Sequence, residues 1–295
     1  METNNHPLVS VPIITYNSSE TIIETLESIK AQSYQNIELI ISDDCSKDNT
    51  VEICQEWVEE NKDRFVRTQI ITVDQNTGVS TNLNRAEVAC QGDWVKSIAG
   101  DDLLLPICIE TYVEYVKKNP NVIYVFSKVE VFGGTEERRQ RIIELGNYDF
   151  FSWSSEQQYD YLTLNRNCIY AMTAFYNRRR VDELGITNDE RIPLLEDWPK
   201  WIRLTQMGIK LHFIDEVLVK YRMSDNALST STHSTGFMKS NALVYKYYCF
   251  KNDLKKGNKK MAVLRYLRGE RFLHDNNLFW KIICKLYKIL IIHSW

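Results

Sequence analysis

Three of the adjacent carboxylate pairs in this 295-residue chain stand out: Asp43-Asp44, Asp101-Asp102 and Glu196-Asp197. Adjacent carboxylates repel, and keeping both ionised costs stability unless a cation or a donor-rich ligand offsets the charge. Hard oxygen donors of this kind suit Mg2+ or Mn2+, ions that keep several waters and bridge to substrate phosphates. Asp101-Asp102 could hold such an ion against a diphosphate. An Asp pair can equally be a turn or a helix cap, as before Leu103-Leu104-Leu105-Pro106 or within Ser42-Asp43-Asp44-Cys45-Ser46. Glu196-Asp197 precedes a segment with Pro199 in its first turn, which reads as a helix start. An acid there is commonly a cap, and the sharper alternative is a general base on the acceptor side.

What these pairs can reach depends on the elements that carry them. Residues 8–17 form a short, β-branched apolar run ending in polar residues, expected as a buried strand. Similar runs fall at 37–41, 68–73 and 93–98, and the segments between them space their apolar residues for helices, as Ile22, Ile23, Leu26 and Ile29 do. Four strand–helix units in succession predict an α/β fold, a mostly parallel sheet with helices on both faces. Ligands of such sheets bind outside the carboxyl ends of the strands. Asp43-Asp44 follows the second strand and Asp101-Asp102 the fourth, so both pairs are expected at that edge. Neither GxGxxG nor GxxxxGK[ST] occurs, which removes support for a dinucleotide fingerprint or a P-loop.

Composition narrows the classes further. A net charge of −3 argues against a nucleic-acid binder. Seven scattered cysteines without a CxxC pair read as reduced thiols. The start METNNHPLVS lacks a charged-then-apolar leader, and no apolar run reaches the ~18 residues of a spanning helix. A cytoplasmic protein is expected. Charge is uneven, however: residues 236–295 hold 13 Lys and Arg against three acids, a net of +10 on a body of −13. In the last stretch Lys281, Lys285 and Lys288 share a helical face, and Trp280 and Trp295 bracket it. Such a helix could lie in a membrane interface, or pack on the core with a solvated lysine face.

Six segments in order resemble the inverting glycosyltransferases of family 2, which have the GT-A fold, a Rossmann-like nucleotide-diphospho-sugar transferase architecture. Residues 10–17, Ser-Val-Pro-Ile-Ile-Thr-Tyr-Asn, are similar to the family's SVIIPTYN; residues 40–50, ending Ser46-Lys47-Asp48-Asn49-Thr50, to IIVDDGSTDNT. Asn76-Thr77-Gly78 opens a match to NxGxxxAxN, and Gly92-Asp93 to the pair before the next strand. Ile98 to Pro106 is similar to LDSDDxxLP, Glu196 to Leu204 to EDxxLWLRL, and Tyr221-Arg222-Met223-Ser224 to YRxH. The match covers about residues 8–230. Two positions differ: Ala99 replaces the first Asp of the family's DxD, and Ser224 replaces the His of YRxH, for which His233 is a candidate substitute.

The resemblance implies a layout and a set of roles. Residues 1–235 would form the catalytic domain, with 8–106 binding the nucleotide-sugar and 107–235 the acceptor, and 236–295 would be a basic helical segment. Thr15, Tyr16 and Asn17 would line the base pocket, Asp43 would accept a hydrogen bond from uracil, and Asp44 would support the ribose side. Asn76, Gly78, Gly100, Glu196 and Trp198 would complete the substrate-binding lining, with Arg222 facing the diphosphate or the loop over it. Asp101, with Asp102 beside it, would hold Mn2+ or Mg2+. Asp197 would be the catalytic base of a single inverting displacement. The donor would be a UDP-sugar carrying a hexose or N-acetylhexosamine. The acceptor would be a lipid-diphosphate-linked glycan in O-antigen or capsule assembly, which would account for a basic tail at the inner membrane surface. Two other classes fit parts of the pattern. A nucleotidyltransferase also uses acidic metal sites on an α/β sheet, but normally carries a Gly-rich basic loop after its first strand. A catalytically impaired sugar-nucleotide-binding module is compatible with Ala99 and Ser224.

Overall fold

The computed structural model describes residues 6–223, 235–275 and 277–292. Ser224, His233 and Trp295 lie outside the described residues. In chain order the elements are β1 (Val9–Thr15), α1 (Ile22–Lys30), β2 (Ile37–Asp43), α2 (Thr50–Asn61), β3 (Arg67–Thr72), α3 (Val79–Val88), β4 (Trp94–Val95), β5 (Ile98–Ala99), β6 (Leu103–Leu104) and α4 (Cys108–Lys118). Then follow β7 (Tyr124–Gly133), α5 (Glu136–Ile143), α6 (Ser155–Leu164), β8 (Phe175–Asn177), α7 (Arg178–Glu183), α8 (Asp197–Gln206) and β9 (Leu211–Met223). The tail supplies α9 (Thr235–Val244), α10 (Phe250–Lys256), α11 (Lys259–Leu273) and α12 (Leu278–Ile292), with a π-helical turn at Tyr245–Cys249.

The strands make one sheet in the order β3-β2-β1-β4-β8-β7-β9-β6, with β5 also on β1. The pairs among β1, β2, β3, β4 and β5 are parallel, as the repeated strand–helix units predict, and β7 runs parallel to β9. Strand β8 is antiparallel to both β4 and β7, and β6 to β9. The expected strand 93–98 is divided into β4 and β5, and the cause is Pro12. Backbone bonds from Trp94 to Leu8, Lys96 to Ser10 and Gly100 to Ile14 show that even-numbered residues of β1 face this neighbour. Pro12 falls in that series and has no N–H to give, so the ladder opens beside it while the register holds on either side.

Two hydrophobic clusters cover the faces of the sheet. Val9, Val11 and Ile13 of β1 join Ile22, Leu26 and Ile29 of α1 and Tyr112 of α4 in one. Ile40, Tyr124 and Phe126 point the other way, to Phe150, Leu162 and Trp201. The start of the tail belongs to this second cluster through Val244 and Cys249. Asn252 Nδ2 donates to Thr163 Oγ1 (2.7 Å), and Lys256 pairs with Asp160 (2.7 Å). The basic segment is therefore seated on the α/β body as far as α10, and α12 packs against α11.

Candidate functional site

The carboxyl ends of β1, β2 and β5 meet at one point. Thr15 Oγ1 donates to Asp43 Oδ2 (2.8 Å), and the Gly100 N–H donates to the Ile14 carbonyl (3.0 Å). A Cβ at Gly100 would stand 2.9 Å from Thr15 Cγ2, so the close approach requires glycine. The two following loops are stitched together. Asn17, at φ 52°, donates its N–H to Ser46 Oγ (2.8 Å) and accepts from the Lys47 N–H through Oδ1 (2.7 Å). Tyr16 is left 48% exposed at the lip, free to meet a planar ligand. Asp43 is buried, and Ser46 donates to it through N–H (2.8 Å) and Oγ (2.5 Å). A carboxylate offers about four lone-pair sites; three are taken, and one on Oδ1 remains.

Asp44 is saturated. It accepts from the Thr77 N–H (2.9 Å), Thr77 Oγ1 (2.6 Å), the Gly78 N–H (2.8 Å) and Arg85 Nη2 (3.4 Å). Its job within the fold is to shape the turn into α3. There Asn76 is exposed with Oδ1 toward the Gly78 N–H (3.2 Å), and Gly78 adopts φ 88°. Ser80 Oγ donates to the Ile192 carbonyl (2.6 Å), and a Cβ on Gly78 would lie 3.3 Å from Pro193 Cβ. The loop leading into α8 is thus laid against the second acidic strand end.

Asp101 and Asp102 differ in burial and in their donors. Asp102 is 1% exposed and accepts from the Arg222 N–H (2.9 Å), while the half-buried Asp101 carboxylate accepts from no other described residue. Burial pushes both carboxyls above the usual aspartate range, and at Asp102 the neighbouring Asp101 charge adds to it. Arg222 does not point at open solvent. Its Nε donates to the Asp101 carbonyl (2.8 Å), its Nη2 to Glu24 (2.9 Å), and its guanidinium lies 4.6 Å from the Phe132 ring centroid. It clamps the turn that presents Asp101.

At the start of α8, Asp197 Oδ2 accepts from Asn167 Nδ2 (2.6 Å) and Oδ1 from the Trp198 N–H (2.7 Å). Trp198 spends its indole N–H on the Leu162 carbonyl (3.0 Å), which fixes α8 to α6. Burial raises the Asp197 carboxyl, and burial followed by the Asp197 charge pushes Glu196 up to about 7. Protein donors therefore hold the Asp197 carboxylate in place without neutralising it, the condition a general base requires.

Sequence reasoning did not single out Arg85, Asn167 or Glu24. Arg85 could have been suspected from its position one helical turn after Asn82, whose Oδ1 it contacts (3.0 Å). Asn167 and Glu24 gave no signal, since each meets its partner only through the tertiary fold. An open surface hollow of about 760 Å3 is lined by residues including Asn188, Asp189, Arg203 and Tyr248, and none of the expected site residues lines it.

Among the described residues no cluster of three or more His, Cys, Asp or Glu could enclose a metal. The available donors still fit Mg2+ or Mn2+ of the kind that takes one or two carboxylates and completes its shell with phosphate and water: Asp101 is half-buried, raised by burial and without a donor from another described residue.

Comparison with known proteins agrees with this architecture. Residues 10–185 match the family model for glycosyl transferase family 2. EpsE and TuaG of Bacillus subtilis (strain 168) are both named as glycosyltransferases, the second in teichuronic acid biosynthesis. EpsE is 26% identical over 225 residues, 76% of each chain. TuaG is 27% identical over 229 residues, 78% of this chain and 84% of its own. Among solved structures, S. aureus TarS 1–349 in complex with UDP-GlcNAc superposes with a TM-score of 0.64 at 16% identity, over 90% of this chain and 72% of that one. The mannosyltransferase PcManGT of Pyrobaculum calidifontis, in complex with GDP-Man and Mn2+, gives 0.60 at 18% identity, over 98% and 76%.

Proposed function

The chain belongs to glycosyl transferase family 2, and on that premise we propose that it moves a hexose or N-acetylhexosamine from a UDP-sugar to a hydroxyl of a lipid-diphosphate-linked glycan, with inversion, at the inner face of the cell membrane. The observation that carries the reading is the contrast between the acidic pairs: Asp101 and Asp197 keep raised, incompletely satisfied carboxylates, whereas Asp43 and Asp44 are held by several protein donors.

Asp43 offers its remaining lone pair to the uracil N–H, Thr15, Tyr16 and Asn17 line the base, and Asp44 supports the ribose side by holding the Thr77–Gly78 turn. UDP and UDP-GlcNAc in the TarS complexes favour this donor, and GDP-Man in PcManGT is the competing chemistry. Asp101, backed by Asp102 and clamped by Arg222, would hold Mn2+ or Mg2+. Such an ion, when bound, would neutralise charge on the departing diphosphate. Asp197 takes the proton of the acceptor hydroxyl as that oxygen bonds to the anomeric carbon; the bond from this carbon to the UDP oxygen breaks, and its electron pair leaves with UDP. Asn167 and the Trp198 N–H keep Asp197 in position, with Glu196 beside it. An α-linked donor then gives a β-linked product. The teichuronic acid biosynthesis in the name of TuaG supports a glycan acceptor. Among the described residues no helix is long and apolar enough to cross a membrane, so attachment would be peripheral.

The test is a panel of UDP-sugars and GDP-mannose with Mn2+, scored for release of the nucleoside diphosphate in the presence of glycan acceptors. Release from a UDP-sugar supports the reading. Binding of every donor without release would make the chain a binding module, and pyrophosphate release from a nucleoside triphosphate and a sugar phosphate would make it a nucleotidyltransferase.

A further inference from the structure

Helix α12 is laid out in three arcs. At about 100° per residue, Trp280, Ile283, Cys284 and Tyr287 share the side that is buried or half-buried against α11. Trp280 stacks on His274 with ring centroids 5.3 Å apart, so this tryptophan faces the protein. On another side, Leu278, Phe279, Ile282, Leu286, Ile289 and Leu290 are 43 to 70% exposed. They fall within an arc of roughly 120°. Lys281, Lys285 and Lys288 fill the gap between the two, all exposed and none paired with an acid among the described residues. The helix contains no Asp or Glu.

A helix that belonged wholly to a core would turn its leucines and isoleucines inward. Here most of the large aliphatics face out. A continuous apolar stripe of six large side chains is more than scattered surface hydrophobics and marks an interaction surface. The lysines beside it select the partner. A second copy docked face to face would bring six unpaired lysines together with no acid from α12 to offset them, which is unfavourable. An anionic bilayer accepts both features at once.

We propose that α12 is an attachment helix that lies in the plane of an anionic membrane, its stripe in the acyl boundary and its three lysines among the lipid phosphates. This deepens the reading of the acceptor, because a lipid-linked glycan would hold the enzyme at the same surface, but attachment itself needs neither donor nor transfer. The arc buried on α11 keeps the helix tied to the α/β body.

The full-length protein is mixed with vesicles of phosphatidylcholine alone or with phosphatidylglycerol, floated through a density gradient, and compared with two triple variants. In one, Lys281→Gln, Lys285→Gln and Lys288→Gln remove the charge; in the other, Ile282→Gln, Leu286→Gln and Ile289→Gln break the stripe. Wild type is expected to float with the anionic vesicles and to be released by salt. The lysine variant should lose on the order of a hundredfold in partitioning, and the stripe variant at least as much. Thermal midpoints and UDP release, measured without vesicles, should stay at the wild-type level, which separates failure of attachment from failure of catalysis. Wild type that ignores anionic vesicles would overturn the proposal. So would a stripe variant that still floats, or a dimer seen by sedimentation that this variant dissolves, which would make the occupant a second copy.

Discussion

The same sheet carries buried or half-buried acids at both ends, and the protein treats them in opposite ways. At the amino end, Glu38 of β2 is fully buried and accepts from Ser10 Oγ, the Gln91 and Gly92 N–H groups and Arg67 Nη1. Burial alone would raise this carboxyl, but the hydrogen bonds prevail and hold it below the usual glutamate range. A Cβ at Gly92 would come within 2.6 Å of Ser10 Oγ, so the packing around Glu38 leaves no room to loosen. At Asp101 and Asp102 at the carboxyl end, and at Glu196 and Asp197 at the start of α8, burial wins, and all four are raised. An acid whose every lone pair has a protein donor supports the fold. An acid left raised and short of donors is prepared for a ligand, a metal or a proton. Asp44 belongs to the first kind although it sits among the second, and Asp43, with three of its lone-pair sites taken and one left on Oδ1, stands close to it, so both build the site more than they react in it.

The sharpest way to break this contrast is Asp197→Asn. Sugar transfer should fall by about 10²- to 10⁴-fold while UDP binding, measured by calorimetry, stays at the wild-type level. Near-normal turnover would reduce Asp197 to a helix cap. On the structural end, Glu38→Ala should lower the unfolding free energy by about 3 kcal/mol, read as a lower urea midpoint, with UDP affinity of the folded protein unchanged. The sign with pH follows from the lowered carboxyl. Its contribution is present above the unfolded value of about 4.3 and is lost as pH falls through the lower folded value, so only the wild type should lose this increment on acidification. Asp101→Ala should weaken Mn2+-dependent UDP binding at least tenfold and leave metal-free UDP binding nearly unaltered; equal losses in both would remove Asp101 from the metal site. The smallest effect is expected from Glu196→Gln. Turnover should decline in acid with an apparent pKa above that of an ordinary aspartate, and because Glu196, pushed up to about 7, is already protonated on that limb, its replacement should leave the limb in place. A limb moved to lower pH would show that Glu196 is ionised beside Asp197.

Much of the site was legible because it depends on local signals. The apolar runs and turn residues around 8–17 and 37–46 place Thr15 and Asp43 at strand ends, and strand–helix alternation makes those strands parallel neighbours. The division of 93–98 into β4 and β5 was missed, although Pro12 was in view, because a missing N–H matters only once it is known which neighbour that residue faces. The clamp on Asp101 was not legible at all: Arg222 and Glu24 are far apart in the chain and meet only after β9 has paired with β6 beside the turn. The tail was read correctly as basic and helical, but pattern alone could not say that Tyr248 bonds Asp189 (2.7 Å) or that Trp280 faces inward.

By itself, then, the order of residues determined the parallel strands of the first half of the sheet and set two acidic pairs, Asp43-Asp44 and Asp101-Asp102, at their carboxyl edge, since hydrophobic period and turn chemistry act over a few residues. Only the tertiary structure decided which of those acids are satisfied. Hydrogen-bond saturation depends on donors brought from Ser46, Thr77, Arg85, Asn167 and Arg222 on separate elements, and burial depends on what the finished fold lays over each carboxylate.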